Sequence, residues 1–293
     1  MELLSPTVDF AFHRIMTHSG NEPVLLDLLN AVLLSSGDQQ AAWVEVKNPA
    51  LEAETVGDKD SVLDVHARLA DGRPVNVEMQ VANEGDWPAR SLYYWSRLYA
   101  LQLQTSMQYE RLQPAIAVGI LNFRLWPAGP FHQTYRLRAD HDPTVQWNDH
   151  LALHTVELPK LPPTVQPADV PLIRWVKFLM EGPLTMKEEV AKESPAIQQA
   201  LDTLKALSYD EVFRSQYEMR EKGRRDRASA LAYARKQGRE EGREEGRDEA
   251  MVATARRLLS RGMSPQEVAD ATAMPLDAIA LIAQSHPASR PSE

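Results

Sequence analysis

The sequence predicts an α/β fold with a helical C-terminal region, and three observations predict it. Two runs of alternating apolar and polar residues, 61–70 and 75–81, flank Asp71-Gly72, a strong hairpin signal. The run from Ala115 to Phe123 is apolar almost throughout, as expected of a strand buried on both faces. Apolar residues recur at helical spacing near the N-terminus and through nearly everything after Pro171.

In chain order, Leu25, Leu26, Leu28, Leu29, Val32 and Leu33 follow Asn21-Glu22-Pro23 and predict a helix ending near Ser36. The first alternating run places Leu63, Val65, Ala67 and Leu69 on one face, with Asp64, His66 and Arg68 on the other. The second opposes Val75, Val77, Met79 and Val81 to Asn76, Glu78 and Gln80. A Tyr- and Leu-rich helix is predicted over 90–104, and further strands at 133–138 and 151–158. Five prolines between Pro159 and Pro171 mark a strap. Residues 196–262 read as one long helix or several broken ones, containing the repeat Gly238-Arg-Glu-Glu, Gly242-Arg-Glu-Glu, Gly246-Arg-Asp-Glu. Ser264-Pro265 and Met274-Pro275 each open a short helix. The organisation expected is a core over 1–158, the strap at 159–171, a helical region at 172–262 and a small helix-turn-helix-like hairpin at 263–285.

Composition excludes several classes. The 293 residues include no cysteine, so disulfide scaffolds, iron–sulfur sites and thiol nucleophiles are out, which fits a cytoplasmic protein. No apolar run approaches the ~18 residues of a membrane span, so no membrane is expected as a partner. With 41 acidic residues against 32 Lys and Arg the net charge is -9, so any polyanion must meet a local basic patch. The best such patch is 220–236, where seven cations face two acids. The following repeat mixes signs and supports pairing within or between helices. The terminal hairpin offers no Arg, Lys or Asn in its second helix to read bases, which favours packing or homo-oligomerisation through the C-terminal helices.

Asp64, Glu78 and Gln80 carry the chemistry. A carboxylate set among apolar strand residues costs desolvation unless it gains a partner or a cation. Hard oxygen donors without cysteine suit Mg²⁺ or Mn²⁺. A two-residue loop at Asp71-Gly72 would set Asp64 opposite Met79, away from Glu78. A three-residue loop Asp71-Gly72-Arg73 pairs Ala70 with Pro74 and sets Asp64 opposite Gln80, with Glu78 a diagonal neighbour ~7–8 Å away. The second register is expected. The pattern alone is equally that of a solvent-facing strand surface. His150 and His154 have metal-like spacing only on a helix, and their stretch reads as a strand.

The pattern Lys59-Asp60-Ser-Val-Leu-Asp64-Val, a turn, then Val77-Glu78-Met79-Gln80 resembles the Rpn family of recombination-promoting nucleases, also described as putative transposases, within the PD-(D/E)XK nuclease superfamily. Ser5-Pro-Thr-Val-Asp9-Phe-Ala-Phe12, Leu29-Asn30, the 90–99 helix and the late glycine–charge repeat resemble it as well. The resemblance implies a restriction-endonuclease-like core, a mixed sheet flanked by helices. It implies that Asp64 and Glu78 hold a divalent metal, Mg²⁺ or Mn²⁺, that Gln80 stands where the superfamily usually has lysine, and that Asp9 supports the site. His13 stands where the family often has lysine. His13, Lys59 and Arg90 are the candidate phosphate contacts. The activity implied is a Mg²⁺-dependent DNA endonuclease acting in recombination or defence against mobile DNA. The alternative is a non-catalytic nucleic-acid-binding or oligomeric scaffold on a degenerate nuclease fold. A glutamine cannot act as a cation; it can only orient a water or phosphate by hydrogen bonds.

Overall fold

The computed structural model describes residues 3–47, 50–51, 61–62, 65–103, 108–162 and 166–284. Helices α1 (Asp9–Thr17) and α2 (Glu22–Ser36) come first. Pro23 sits in the first turn of α2, and Gly37, at φ 75°, ends it. The N–H groups of Gly37 and Asp38 turn back onto the carbonyls of Leu34 and Leu33. Strand β1 (Val44–Val46), the short pair β2 (Ala50–Leu51) and β3 (Ser61–Val62), and strands β4 (Val65–Leu69) and β5 (Pro74–Gln80) follow. Then come α3 (Trp87–Ala100), β6 (Ala115–Leu121), β7 (His132–Tyr135) and β8 (Leu151–Glu157).

The main sheet has six strands in the order β1-β4-β5-β6-β8-β7. β5, β6 and β8 run parallel, and the other pairings are antiparallel. Parallel neighbours need both faces covered, and that is why β6 is apolar along its whole length and buried at every residue. One face carries Val65, Val77 and Val118 in register, with Ile120 and its partner Val156 two residues on, and meets Phe12, Ile15 and Met16 of α1 and the leucines of α2 in one core. The other face is covered over its centre by α3.

The β4–β5 hairpin corrects the expected register. Arg68, not Ala70, pairs with Pro74, and Val65 pairs with Val77. The loop does have three residues, but they are Ala70-Asp71-Gly72, closed by the Leu69 N–H on the Arg73 carbonyl at 2.9 Å. The reason is Gly72, whose φ of +93° belongs at the last loop position of such a turn. Asp71 secures it by accepting from the Arg73 backbone N–H and Nε.

The core does not end at residue 158. Helices α4 (Val170–Leu179), α5 (Leu184–Lys192) and α6 (Pro195–Tyr209) add Leu172, Trp175, Phe178, Ile197, Leu201 and Leu204 to it, and compactness carries the first unit to Met219. Composition put the boundary at the prolines because α4–α6 change the element type. The apolar faces of α4 and α6 nonetheless bury against α2, and α6 against α1 as well, while α5 packs on α4 and α6. Trp175 shows the bond in detail: fully buried, it donates its Nε1 to Asp27 of α2 at 2.8 Å.

The second unit, Arg220–Glu293, contains most of α7 (Glu211–Ser260), then α8 (Pro265–Thr272) and α9 (Leu276–Gln284). Helix α7 runs unbroken through Gly238, Gly242 and Gly246, so the repeat lies within one long helix and not in several broken ones. Among the described residues, nothing lies within 4 Å of where a Cβ would stand on any of the three. Ser264 caps α8 in a capping box with Glu267. Ala255, Val268, Ala269 and Ile279 form this unit's own small core. No helix among the described residues is long and apolar enough to cross a membrane.

Candidate active site

The two-residue period of β5 sets Asn76, Glu78 and Gln80 on the α3 side of the sheet. This side is not a solvent face. Glu78 is 2% exposed and Asn76 likewise, because β5 is flanked on both edges and roofed by α3. Glu78 lies level with Gly119 of β6, and a Cβ built on Gly119 would overlap the six-membered ring of Trp87. The missing side chain thus lets the first residue of α3 lay its indole on the sheet next to the carboxylate.

Glu78 Oε1 accepts from Asn76 Nδ2 at 2.8 Å, and Oε2 from Gln80 Nε2 at 3.5 Å. One turn into α3, Arg90 reaches the same pair, with Nη2 3.6 Å from Glu78 Oε2 and Nη1 donating to Gln80 Oε1 at 3.4 Å. The guanidinium also lies 5.4 Å from the centre of the Tyr94 ring, which fixes its plane. A carboxylate this deep loses several kcal/mol of hydration, and amide donors and a neighbouring cation offset it. The arrangement sets carboxylate and amide oxygens beside one positive charge.

The structure therefore brings Glu78, Gln80 and Arg90 together. Asp64 and Lys59 lie outside the described residues; the described hairpin pairing stops at Val65 opposite Val77. Asp9 is exposed at the start of α1 and its Oδ1 accepts from the Phe10 N–H at 2.7 Å. His13, half-buried one turn later, accepts from the Thr17 hydroxyl through its carbonyl. Among the described residues no cluster of three or more His, Asp or Glu could hold a metal ion. Glu78 and the Gln80 carbonyl are donors of the hard type that Mg²⁺ or Mn²⁺ takes, and Asp64 is the carboxylate that would complete the set.

Sequence reasoning passed over Asn76, Trp87 and Gly119. The first stands in the same alternation as Glu78 and Gln80. The last interrupts an aliphatic strand, which is the usual mark of a close approach.

On the other face, β8 turns His154 into the core beside His132 of β7. His132 Nε2 and His154 Nδ1 are 3.2 Å apart, and His132 Nδ1 lies 2.8 Å from the Ser35 hydroxyl, which donates to Asp169. His154 Nε2 faces Asp38 at 3.8 Å, itself gripped by both oxygens in Arg136. Burial pushes His154 down to about 3, with repulsion from His132 adding to it, and burial pushes His132 down to about 4. Burial works to raise Asp38, but hydrogen bonds from Ser36 and Arg136 outweigh it and hold the carboxyl below its ordinary range. The strand reading of 151–158 stands, and His154 there is a neutral buried side chain.

A family model described as PD-(D/E)XK nuclease family transposase matches residues 6–234, which spans the whole sheet, α1–α6 and half of α7. No curated protein and no solved structure matches the chain.

Proposed function

Since the chain belongs to the PD-(D/E)XK nuclease family transposases, we propose that it is a Mg²⁺- or Mn²⁺-dependent endonuclease that hydrolyses phosphodiester bonds in DNA. The observation that carries this reading is Glu78, a carboxylate buried on a central strand and bonded by two amides beside a guanidinium. Glu78 and Asp64 are the proposed ligands; in sequence Asp64 directly precedes Val65, whose partner Val77 adjoins Glu78. The ion, when bound, polarises a phosphoryl oxygen and makes its water acidic enough to attack at neutral pH. Asn76 holds Glu78 by one oxygen and so fixes the direction of the other. Gln80 orients the attacking water or a phosphate oxygen. Arg90 supplies the positive charge that lysine provides elsewhere in the superfamily and steadies charge gathering on the phosphate. Asp9 as a supporting residue, and His13 and Lys59 as phosphate contacts, belong to the same proposal on the family resemblance alone.

Cleavage of supercoiled plasmid with Mg²⁺ or Mn²⁺, by the wild type and by Glu78→Ala and Asp64→Ala, tests this. Metal-dependent nicking that falls to background in both variants is expected. DNA bound tightly by the wild type without cleavage in either metal would instead mark a scaffold that has lost the chemistry, the reading that Gln80 in place of lysine favours.

A further inference from the structure

Beside Glu78, the sheet and α3 enclose a cavity of about 270 Å³. Its walls are mainly apolar, and the aromatic side chains Trp87, Trp126 and Tyr135 stand among them beside Leu92 and Leu125. Leu92 and Trp126 are 48% and 43% exposed, so part of the lining faces solvent. The Trp126 indole donates to the Tyr135 hydroxyl at 2.7 Å, which satisfies one and braces both.

The lining includes Asn76, Trp87 and Thr155, each more than nine-tenths buried. Each keeps one buried atom without a hydrogen-bond partner among the described residues, namely Asn76 Oδ1, Trp87 Nε1 and Thr155 Oγ1. Native interiors leave few such atoms, and three around one cavity call for something that bonds to them. Their chemistry specifies it. The Asn76 amide turns its NH₂ to Glu78, which leaves its oxygen as an acceptor. The indole N–H only donates, and the hydroxyl does either. The complement is a flat group with apolar faces whose edge carries both an N–H and a lone pair. A cavity just under the ~300–1,000 Å³ of ordinary ligand sites suits one ring system.

We propose that this cavity receives an unstacked nucleobase of the DNA engaged at Glu78. The proposal rests on the reading of this sheet face as the one that meets DNA. Enzymes that extrude a base hold it by stacking against aromatic walls and by hydrogen bonds to its edge, the two things this cavity offers.

The test uses the full chain in EDTA, where cleavage is off. A short duplex carrying 2-aminopurine, placed singly at each position in turn, is titrated with protein. At one position the emission is expected to rise severalfold as the base leaves its stack. Thr155→Val keeps the volume and deletes the hydroxyl; it is expected to bind the duplex about tenfold more weakly, the scale of one hydrogen bond lost in a dry pocket, while melting no lower than the wild type. No emission change at any position under saturating protein overturns the proposal. So does a Thr155→Val protein that binds DNA as the wild type does, which would mean that no base bonds to the hydroxyl. Cleavage with Mn²⁺ but no base entry sinks the pocket and leaves the nuclease. Base entry with no cleavage in any metal does the reverse.

Discussion

Arg90 and Gly119 show how single residues build this site. Arg90 is 3.6 Å from Glu78 and donates to Gln80 at 3.4 Å, which places its positive charge beside the carboxylate where a phosphate would gather charge. Arg90→Ala is expected to cut metal-dependent cleavage on the order of 100-fold, as for other lost charge-stabilising donors. Arg90→Lys should recover part of it, and a rate equal to wild type in Arg90→Ala would show that the residue only packs on Tyr94. Gly119→Ala is a packing test. Its new methyl meets the Trp87 ring, which cannot retreat without leaving the sheet. A loss of ~1–3 kcal/mol in urea unfolding is expected, typical of overpacking. Glu78 and Gln80 were legible in the sequence as polar residues of an alternating strand. Their depth was not, because alternation cannot say whether the polar face meets water or another helix. That depended on α3 and on the glycine that seats it.

At the scale of elements, most strands and helices were legible because their periods are clean, and the errors fell where a backbone angle decides. The β4–β5 loop is three residues long as its sequence suggests, but the left-handed Gly72 closes it one residue earlier than expected and shifts every pair by two positions. A shift by two keeps each side chain on its face, so the polar grouping survived the error. The histidines between β7, β8 and the end of α2 were not legible at all, since only the fold brings 35, 38, 132, 136, 154 and 169 together. They make a pH prediction. The folded values of about 4 and about 3 lie below the ~6.5 of an unfolded histidine, so the unfolded chain binds more protons between these limits. Stability should be full above pH 6.5 and fall as pH drops toward 4, with up to ~1.4 kcal/mol per unit for each histidine. Arg136 opposes protonation of His154 and Asp38 favours it, while Asp169 and Asp38 favour protonation of His132, so the slope is a net of these. Urea midpoints from pH 7.5 to 4.5 measure it; a flat profile, or the same slope in His154→Gln, would rule out this origin.

For the whole molecule, the sequence placed the change from mixed to helical structure correctly but made it a domain boundary. The prolines after β8 end an element type, not a core. Whether a following helix packs on the preceding sheet is decided by side chains distant in sequence, such as Asp27 with Trp175, and no local pattern reveals it. The consequence can be weighed. A chain cut after residue 158 loses Leu172, Trp175, Val176, Phe178 and Leu179 of α4 alone, and leaves their counterparts on α2 bare. At ~2 kcal/mol for each large side chain returned to water, that is on the order of 10 kcal/mol, as large as the whole ~5–15 kcal/mol stability of a domain. Residues 1–158 should therefore fail to fold, giving an expanded chain without a cooperative melt. Residues 1–219, which keep α4–α6, should melt in one transition with the near-ultraviolet signal of a packed Trp175. Circular dichroism of the two fragments decides it, and a cooperative transition in the shorter one would show that the sheet with α1–α3 carries a sufficient core by itself.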